Sequence, residues 1–491
     1  MTADHLSTDV VVVGAGPVGL MLAGELAHGG VDVVLVEKRH APNTESRAST
    51  LHARTMEILD SRALLPEFGD PPNEPRGHFG GLPLDLTLPT SHPGQWKVPQ
   101  TRTEVILQEW ALSLGATLKC KHEVTALKDT GHGVEAEATG PDGTLLRLHC
   151  RYLIACDGED STVRRLTGAP FPGQDAAREL LRADVAGIDI PARRFERLET
   201  GLAIAARRPD GVTRVMVHEF GSTAQHRPGG DVSFEEITAV WKRVTGEDIS
   251  SGTPLWANAF GDASRQLTHY RHGRILFAGD AAHQQMPIGG QALNLGVQDA
   301  FNLGWKLALV VRGKAPHTLL DTYHSERHET GRRVLANIRA QALMLLGPPQ
   351  VGPLRALLGE LTALDDVRRH LAGMISGLDV RYDVGGPAHP LLGARLPCTE
   401  LRLRERTVTT ARLVRSGGGV LLDLTARGSG PPAPAEGWAD RVTEVAAQPT
   451  PGSALYGTER VLVRPDGHVA WAGSGTDGLT EALTRWFGPP R

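Results

Sequence analysis

At 491 residues, with 40% hydrophobic and 22% charged side chains, the chain has an ordinary globular balance and the length of about three domains. A net charge of −4 gives no reason to expect nucleic acid as a partner, and no apolar run approaches the roughly 20 residues that span a bilayer. The N-terminus carries charge where a signal peptide needs apolar length. Cys120, Cys150, Cys156 and Cys398 show neither a Cys-x-x-Cys pair nor zinc spacing, so a cytoplasmic protein with reduced thiols and no metal is expected.

The β-branched run Val10 to Val13 predicts a strand buried on both faces, followed at once by Gly14-Ala-Gly-Pro-Val-Gly19. A helix to Gly29 follows, with Pro17 suited to its first turn, and then a second apolar strand, Val31 to Glu37. This is a βαβ unit. Ser49 to Asp60 reads as helix, Asp70 to Pro99 as irregular, and Thr103 to Leu114 as helix, with strands near Val124 and over Tyr152 to Cys156. From Ala183 to Phe260 the pattern turns to strand-like alternation, notably Ala203 to Arg207 and Thr213 to Glu219, with a helix over Phe234 to Val244. That change predicts a sheet-based middle domain inserted into the nucleotide-binding fold. The first domain resumes at Ile275 to Phe277, and a long helix runs from Ala292 to Val311. Beyond a Gly/Pro seam near Gly385 to Pro390 the chain is β-rich, with Gly419 to Leu424 as one strand. Val461 to Val463 and His468 to Trp471 pair around the Asp466-Gly467 turn.

Three glycine-centred segments carry chemistry. In the first, Gly14 permits a tight turn, Gly16 lets backbone approach a pyrophosphate, and Gly19 allows close helix–strand packing. The helix N-terminus offers unpaired amides to phosphate, and the Glu37 carboxylate suits the diol of an unphosphorylated ribose, leaving FAD and NAD both open. The second is Cys156-Asp157-Gly158 after an apolar strand, with Arg164 in the helix-like segment Ser161 to Leu166; alone it is a common turn. The third runs from Gly279-Asp280-Ala281-Ala282-His283 through Met286-Pro287-Ile288-Gly289-Gly290-Gln291-Ala292-Leu293-Asn294. An acid at a strand end can accept bonds from sugar or ribityl hydroxyls. A Gly-Gly pair opening a helix brings amide donors against a planar ring whose reduced form is anionic.

In this order, the three motifs resemble the p-hydroxybenzoate-hydroxylase class of FAD monooxygenases. Gly77-His78-Phe79-Gly80-Gly81-Leu82-Pro83, the stretch Phe260 to Gly273 ending in Tyr270-Arg271-His272-Gly273, and Tyr323-His324-Ser325-Glu326-Arg327 are similar, within that class, to bacterial aromatic polyketide hydroxylases of angucycline and anthracycline type. The resemblance implies an α/β fold: a Rossmann-like FAD-binding domain over 1–179 and 268–384, an inserted substrate-binding domain over 180–267, and a thioredoxin-like C-terminal domain over 385–491 without redox cysteines. It places Gly14, Gly16, Pro17, Gly19, Glu37 and Lys38 on the ADP part of FAD, with Arg47, Gln100 and a Val124 backbone contact also on the cofactor. Asp157 and Gly158 match a fingerprint linked to FAD and NAD(P)H. Gly279 and Asp280 fall at the ribityl–pyrophosphate stretch, and Pro287, Gly289, Gly290, Gln291, Ala292, Leu293 and Asn294 wrap the isoalloxazine.

The resemblance further implies that NADH or NADPH, bound transiently without a Rossmann domain of its own, reduces the flavin. Molecular oxygen then adds at C4a, and the hydroperoxide passes one atom to a polycyclic aromatic substrate. His78, Phe79, Gly80, Trp96, Phe220 and Met286 are the candidate substrate contacts. His283 is a candidate base, although bracing of its loop beside Asp280 is the preferred reading. Baeyer–Villiger or ring-cleaving oxygenation and a non-catalytic FAD-binding partner stay open as alternatives. A halogenase is disfavoured because no Trp-x-Trp-x-Ile-Pro segment occurs. A monomer or homodimer is expected.

Overall fold

The computed structural model describes residues 4–40, 49–225, 227, 232–404, 406–425 and 435–491. Its first strand, β1 (Asp4–Val13), is buried from Val10 onward and runs parallel to β2 (Val33–Glu37), with α1 (Pro17–His28) crossing between them. The valines need apolar cover on both faces, which only a central strand of a helix-covered parallel sheet provides.

Thr50–His52 forms a short strand, β3, before α2 (Ala53–Ser61), so the helix expected from Ser49 begins later. The cause is tertiary: Thr50 and His52 pair with Lys97 and Gln95 of a strand, Gln95–Lys97, far along the chain. The segment read as irregular also holds a hairpin, β4 (Arg76–Phe79) and β5 (Leu82–Asp85). Gly80 and Gly81 turn it, both at positive φ (56° and 83°), as a two-residue type I′ loop requires.

After α3 (Gln100–Ser113), the parallel sheet gains β6 (Thr117–Cys120) beside β2. A hairpin, β7 (Glu123–Asp129) and β8 (Val134–Thr139), leads into β9 (Leu145–Ala155), which lies parallel to β1. Helix α4 (Thr162–Thr167) then leaves this layer.

The inserted sheet is antiparallel. It comprises β10 (Glu179–Ala186), β11 (Arg193–Arg197), β12 (Gly201–Arg207), β13 (Thr213–Glu219) and β14 (Thr253–Gly261), in the spatial order β11–β12–β13–β10–β14. Helix α5 (Phe234–Thr245) covers one face with Ile237, Val240, Trp241 and Val244, a three-and-four spacing that places all four on one stripe. Ser233 caps its start by accepting the Glu236 amide at 3.2 Å.

The chain returns to the parallel sheet as β15 (Ile275–Phe277), beside β9, completing the order β15–β9–β1–β2–β6. Two long helices follow, α6 (Gln291–Val311) and α7 (Asp321–Leu346).

The last sheet holds β16 (Gly419–Asp423), β17 (Val442–Ala446), β18 (Arg460–Val463) and β19 (Val469–Gly473), ordered β17–β16–β18–β19. Only β16 and β17 are parallel, and α8 (Leu479–Phe487) closes the chain, an arrangement of thioredoxin type. Arg464 of this part meets Glu326 of α7 at 2.6 Å, both buried, so the C-terminal sheet is docked on the helices that run from the site.

Candidate active site

The glycine turn explains each of its glycines separately. Gly14 sits at φ +100°, donates its amide to Val36 O at 2.8 Å, and leaves no room for a β-carbon, which would meet Cys156 O at 2.4 Å. A β-carbon on Gly19 would lie 2.0 Å from Gly14 O. Gly16 differs: nothing lies within 4 Å of where its β-carbon would be, and no side chain caps the helix start it provides. Open space in front of free amides, with Pro17 in the first turn, is the geometry a pyrophosphate fills.

Glu37 closes the other side. Its carboxylate accepts the Ala15 amide at 2.7 Å and both the amide and Nε of Arg39, at 2.8 and 3.0 Å. Burial works to raise its pKa, but the Arg39 and Ala15 bonds outweigh that and hold the carboxyl below its usual range. Lys38 is exposed, so Arg39, which the motif reading passed over, is the cation at this acid. Val124 is buried on β7, where the preceding turn returns the His122 amide to Glu37 O at 3.0 Å. Gln100 opens α3 and donates to Glu104 at 2.9 Å. Arg47 lies outside the described residues.

The Asp157 carboxylate accepts Ser161 Oγ at 2.6 Å and the Val163 amide at 3.0 Å, fixing the first turn of α4. Gly158, at φ +83°, faces open space. Arg164 of that helix donates to Ala281 O at 3.0 Å, tying the second motif to the third.

In the third motif, Gly279 and Gly296 pack against Val18 of α1, where β-carbons would lie at 2.9 and 2.5 Å. Asp280 is exposed at the end of β15. His283 is fully buried and meets Asp299, not Asp280: its Nε2 lies 2.7 Å from an Asp299 oxygen that also accepts the Gly279 amide, while Arg327 holds the other oxygen at 2.7 Å. An enclosed ring held by the Asp299 carboxylate fits the bracing reading, with Asp299 in place of Asp280 as its partner.

Pro287 precedes two glycines at φ +65° and +69°, which turn the chain into α6, with Ala292 and Leu293 half-buried behind them. Here His52 enters, a residue no motif marks. Its Nε2 donates to Gly289 O at 2.7 Å, and its amide donates to Asn294 Oδ1 at 2.8 Å. Asn294 donates in turn to Thr50 O and Gly290 O, at 3.0 and 2.7 Å. Burial drives the His52 pKa down to about 4, against the Gly289 bond, so the ring is neutral at pH 7. Gln291 faces α7, where its Oε1 accepts Asn337 Nδ2 at 3.3 Å. A cavity of about 430 Å³ opens between α6, α7 and the segment from Gly377 to Asp383, with Gln291, Asn294 and Asn337 on its wall.

The substrate candidates divide. Met286 and Phe220 share one apolar cluster with Ile288 and the half-buried Phe195, Ile204, Met216 and Phe260 of the inserted sheet. His78 joins it through Phe195, ring centroids 4.0 Å apart. Burial, with help from Arg194 and Lys97, lowers the His78 pKa to about 4, and its Nδ1 accepts the Gly81 amide at 3.2 Å. Phe79 points elsewhere, into a core with Leu84, Leu86 and Met344, and Gly80 is held by α7. Trp96 is half-buried against the main core, opposite Leu51, and is not part of the cluster of Phe220 and Met286. His78 and Phe79 therefore lie on a strand, and only Gly80-Gly81 forms the loop. Phe195 was not visible in the sequence. It is a non-glycine residue at φ +50° within a bulge, a conformation that enclosing structure must enforce.

A family described as an FAD binding domain matches residues 7–338, and one described as an aromatic-ring hydroxylase C-terminal domain matches residues 389–490. The chain belongs to the FAD-dependent aromatic-ring hydroxylases. This hydroxylase is 42% identical to the Streptomyces rimosus 12-dehydrotetracycline 5-monooxygenase/anhydrotetracycline 6-monooxygenase, over 98% of this chain and 99% of that protein. It is 40% identical to the dialkyldecalin synthase of Streptomyces rugosporus, over 99% of this chain and 100% of that one. Among solved structures, CabE, an aromatic hydroxylase from angucycline biosynthesis, superposes with a TM-score of 0.93 at 49% identity, covering 99% of this chain and 100% of that chain. Among the described residues, no helix is long and apolar enough to cross a membrane, and no cluster of His, Cys, Asp or Glu is arranged to hold a metal.

Proposed function

We propose that this hydroxylase inserts one oxygen atom of O₂ into a polycyclic aromatic polyketide in natural-product biosynthesis, with NADPH or NADH as transient reductant. The observation that carries the reading is the apolar wall of Phe195, Ile204, Met216, Phe220 and Phe260 on the inserted sheet, clustered with Met286 and Ile288 of the loop that opens α6. An apolar cluster with three phenylalanines beside that loop suits a fused-ring substrate. FAD, once bound, supplies the redox chemistry and the oxygen activation.

The protein's own part is binding, orientation and exclusion of water. Gly16 and the start of α1 receive the pyrophosphate, and Glu37, held anionic by Arg39, takes the ribose. Asp280 serves the ribityl–pyrophosphate stretch. The backbone of Gly289 and Gly290 would hold the ring system, where amide donors would stabilise negative charge on it. His78 is kept neutral by burial and its Nδ1 accepts the Gly81 amide, so it lines the pocket as a neutral ring. His283, engaged with Asp299, is likewise a brace.

The test is NAD(P)H oxidation by the yellow holoprotein across a panel of aromatic polyketides, with full NMR connectivity of the product. Substrate-accelerated oxidation with a new ring hydroxyl is expected; an ester or lactone would establish Baeyer–Villiger chemistry instead. A second reading, an FAD-bearing pocket that shapes its ligand without oxygen transfer, draws support from the dialkyldecalin synthase relative. Ligand binding with neither NAD(P)H oxidation nor oxygenated product would decide for it.

A further inference from the structure

The hairpin that carries His78 and the loop that opens α6 are more than 200 residues apart, yet one buried chain of side-chain amides joins them. The Gly80 amide donates to Gln341 Oε1 at 3.0 Å; Gln341 Nε2 donates to Asn337 Oδ1 at 3.1 Å; Asn337 Nδ2 donates to Gln291 Oε1 at 3.3 Å. Asn337 and Gln341 stand four residues apart on α7 and so share one face of it. Gln291 is 3% exposed, Asn337 5% and Gln341 fully buried. At the far end, Gln291 Nε2 is buried and has no hydrogen-bond partner among the described residues. It lies 3.6 Å from where a β-carbon on Gly289 would be, beside the glycine pair assigned to the flavin ring.

The direction of this chain is not free. A carboxamide can be turned either way, presenting oxygen or nitrogen. A backbone N–H can only donate, so Gly80 fixes the Gln341 oxygen toward itself. Gln341 must then donate to Asn337, and Asn337 to Gln291. Each link sets the next, and the last group exposed to the site is forced to be a donor. A buried donor without an acceptor costs about 1–3 kcal/mol, so this polarity is stable only if the site supplies an oxygen.

We propose that Gln341 and Asn337 are positioning residues that register the His78 hairpin against the flavin loop and, through that fixed polarity, hold Gln291 Nε2 as a donor to a carbonyl or phenolate oxygen of the bound ligand. The inference rests on the reading of this cleft as the FAD and substrate site. That oxygen belongs either to the pyrimidine side of the flavin or to a ring substituent of the substrate, and the same donor geometry serves both.

The test uses the full-length, FAD-loaded protein and three variants. Gln341→Leu breaks the hairpin link, and hydrogen exchange at the Gly80 amide is expected to quicken about tenfold. Asn337→Asp keeps the acceptor that Gln341 needs but replaces the Nδ2 donor with oxygen. Gln291 must turn over to donate to the new carboxylate, so its own oxygen now faces the site. Exchange at Gly80 is then expected to stay slow while affinity falls about tenfold for whichever ligand supplied the oxygen. FAD titration of the apoprotein reads one source, and binding of 1,8-dihydroxyanthraquinone to the holoprotein reads the other. Gln291→Leu, which removes the donor, should reproduce the affinity loss without touching α7.

A purely structural role predicts a lower Tm in Asn337→Asp with both affinities unchanged, and that result would overturn the proposal. So would unchanged Gly80 exchange in Gln341→Leu. If the anthraquinone does not bind the parent, the FAD arm decides the donor. None of these readouts needs turnover, so failure of the parent to oxidise NAD(P)H would remove the monooxygenase reading and leave the relay standing or falling by itself.

Discussion

Two helix starts are assigned to the cofactor in the proposed reading, and they are built in opposite ways. The start of α1 is made from its own neighbourhood: Gly14, Gly16 and Gly19 lie within six residues, and the turn closes on Val36 by a backbone bond. The start of α6 is assembled from afar. Of its two left-handed glycines, Gly289 is held by His52 and Gly290 by Asn294, which also binds back to Thr50, and its Gln291 leans on Asn337. The first presents bare backbone to a charged group whose chemistry never varies. The second, assigned in the proposed reading to the reacting ring, is fixed by side chains from elsewhere in the chain. On that reading, local backbone carries the generic part of cofactor binding, and long-range side chains carry the part that positions the ring.

The largest effect expected from breaking this contrast falls on the first helix. Gly19→Ala puts a β-carbon 2.0 Å from Gly14 O, and backbone cannot yield as a flexible side chain would. Overpacking of this kind costs about 1–3 kcal/mol, much of it taken from FAD binding, so affinity should drop about a hundredfold and the purified protein should lose its yellow colour. Retained FAD at parent stoichiometry would show that the turn is not the pyrophosphate site. Next comes Asp280→Ala, at the exposed end of β15, where about tenfold weaker FAD binding is expected from loss of one charge-assisted contact. Unchanged occupancy in a flavin titration would remove Asp280 from the cofactor.

The same contrast explains what could be read without coordinates. The βαβ unit, the β13 strand at Thr213–Glu219 and the α6 helix follow from runs of apolar residues and from glycine spacing, which act over short range. The Thr50–His52 strand was hidden because its partner is Gln95–Lys97, and no local pattern announces a pairing over that separation. His52, Asn337, Gln341 and Phe195 were equally silent. Each matters through one contact made across the fold, and nothing in its immediate sequence differs from an ordinary core or surface position. Phe79 and Trp96 show the converse: Phe79 is buried in a core with Leu84 and Leu86, and Trp96 packs half-buried against the main core.

His52 offers a way to sharpen the comparison with pH. Burial holds its pKa at about 4, below the ordinary 6.5, and the nearby Lys97 adds to the effect against the Gly289 bond. The unfolded chain therefore binds a proton that the folded one refuses. The contribution to stability is full above about pH 6.5, and it is lost progressively as pH falls toward 4, amounting to roughly 3 kcal/mol at most. His52→Gln can keep the donor to Gly289 O while removing the titration. Its Tm should fall less than the parent's between pH 7 and pH 5, and the difference should appear at α6 rather than α1 by hydrogen exchange. Parallel pH profiles for the two proteins would separate His52 from the acid sensitivity of the loop.

The smallest expected effect distinguishes two adjacent cations. Lys38 is exposed beside Glu37, whereas Arg39 binds one Glu37 oxygen through both its amide and its Nε. Lys38→Ala should leave FAD affinity within about 0.5 kcal/mol of the parent, as exposed substitutions usually do. Arg39→Ala removes a contact from a side chain that is itself 36% exposed, so solvent screening limits the direct loss to roughly 0.5–1 kcal/mol. The pH dependence is the more telling quantity. Arg39 opposes the burial that would raise the Glu37 carboxyl, and without it the carboxyl takes a proton at higher pH. FAD titrations at pH 7 and pH 5 should therefore diverge more in Arg39→Ala than in the parent, and not at all further in Lys38→Ala. If the lysine variant showed the steeper loss instead, the acid at the end of β2 would owe its charge to the exposed neighbour, and the glycine turn would be less self-contained than its backbone bonds imply.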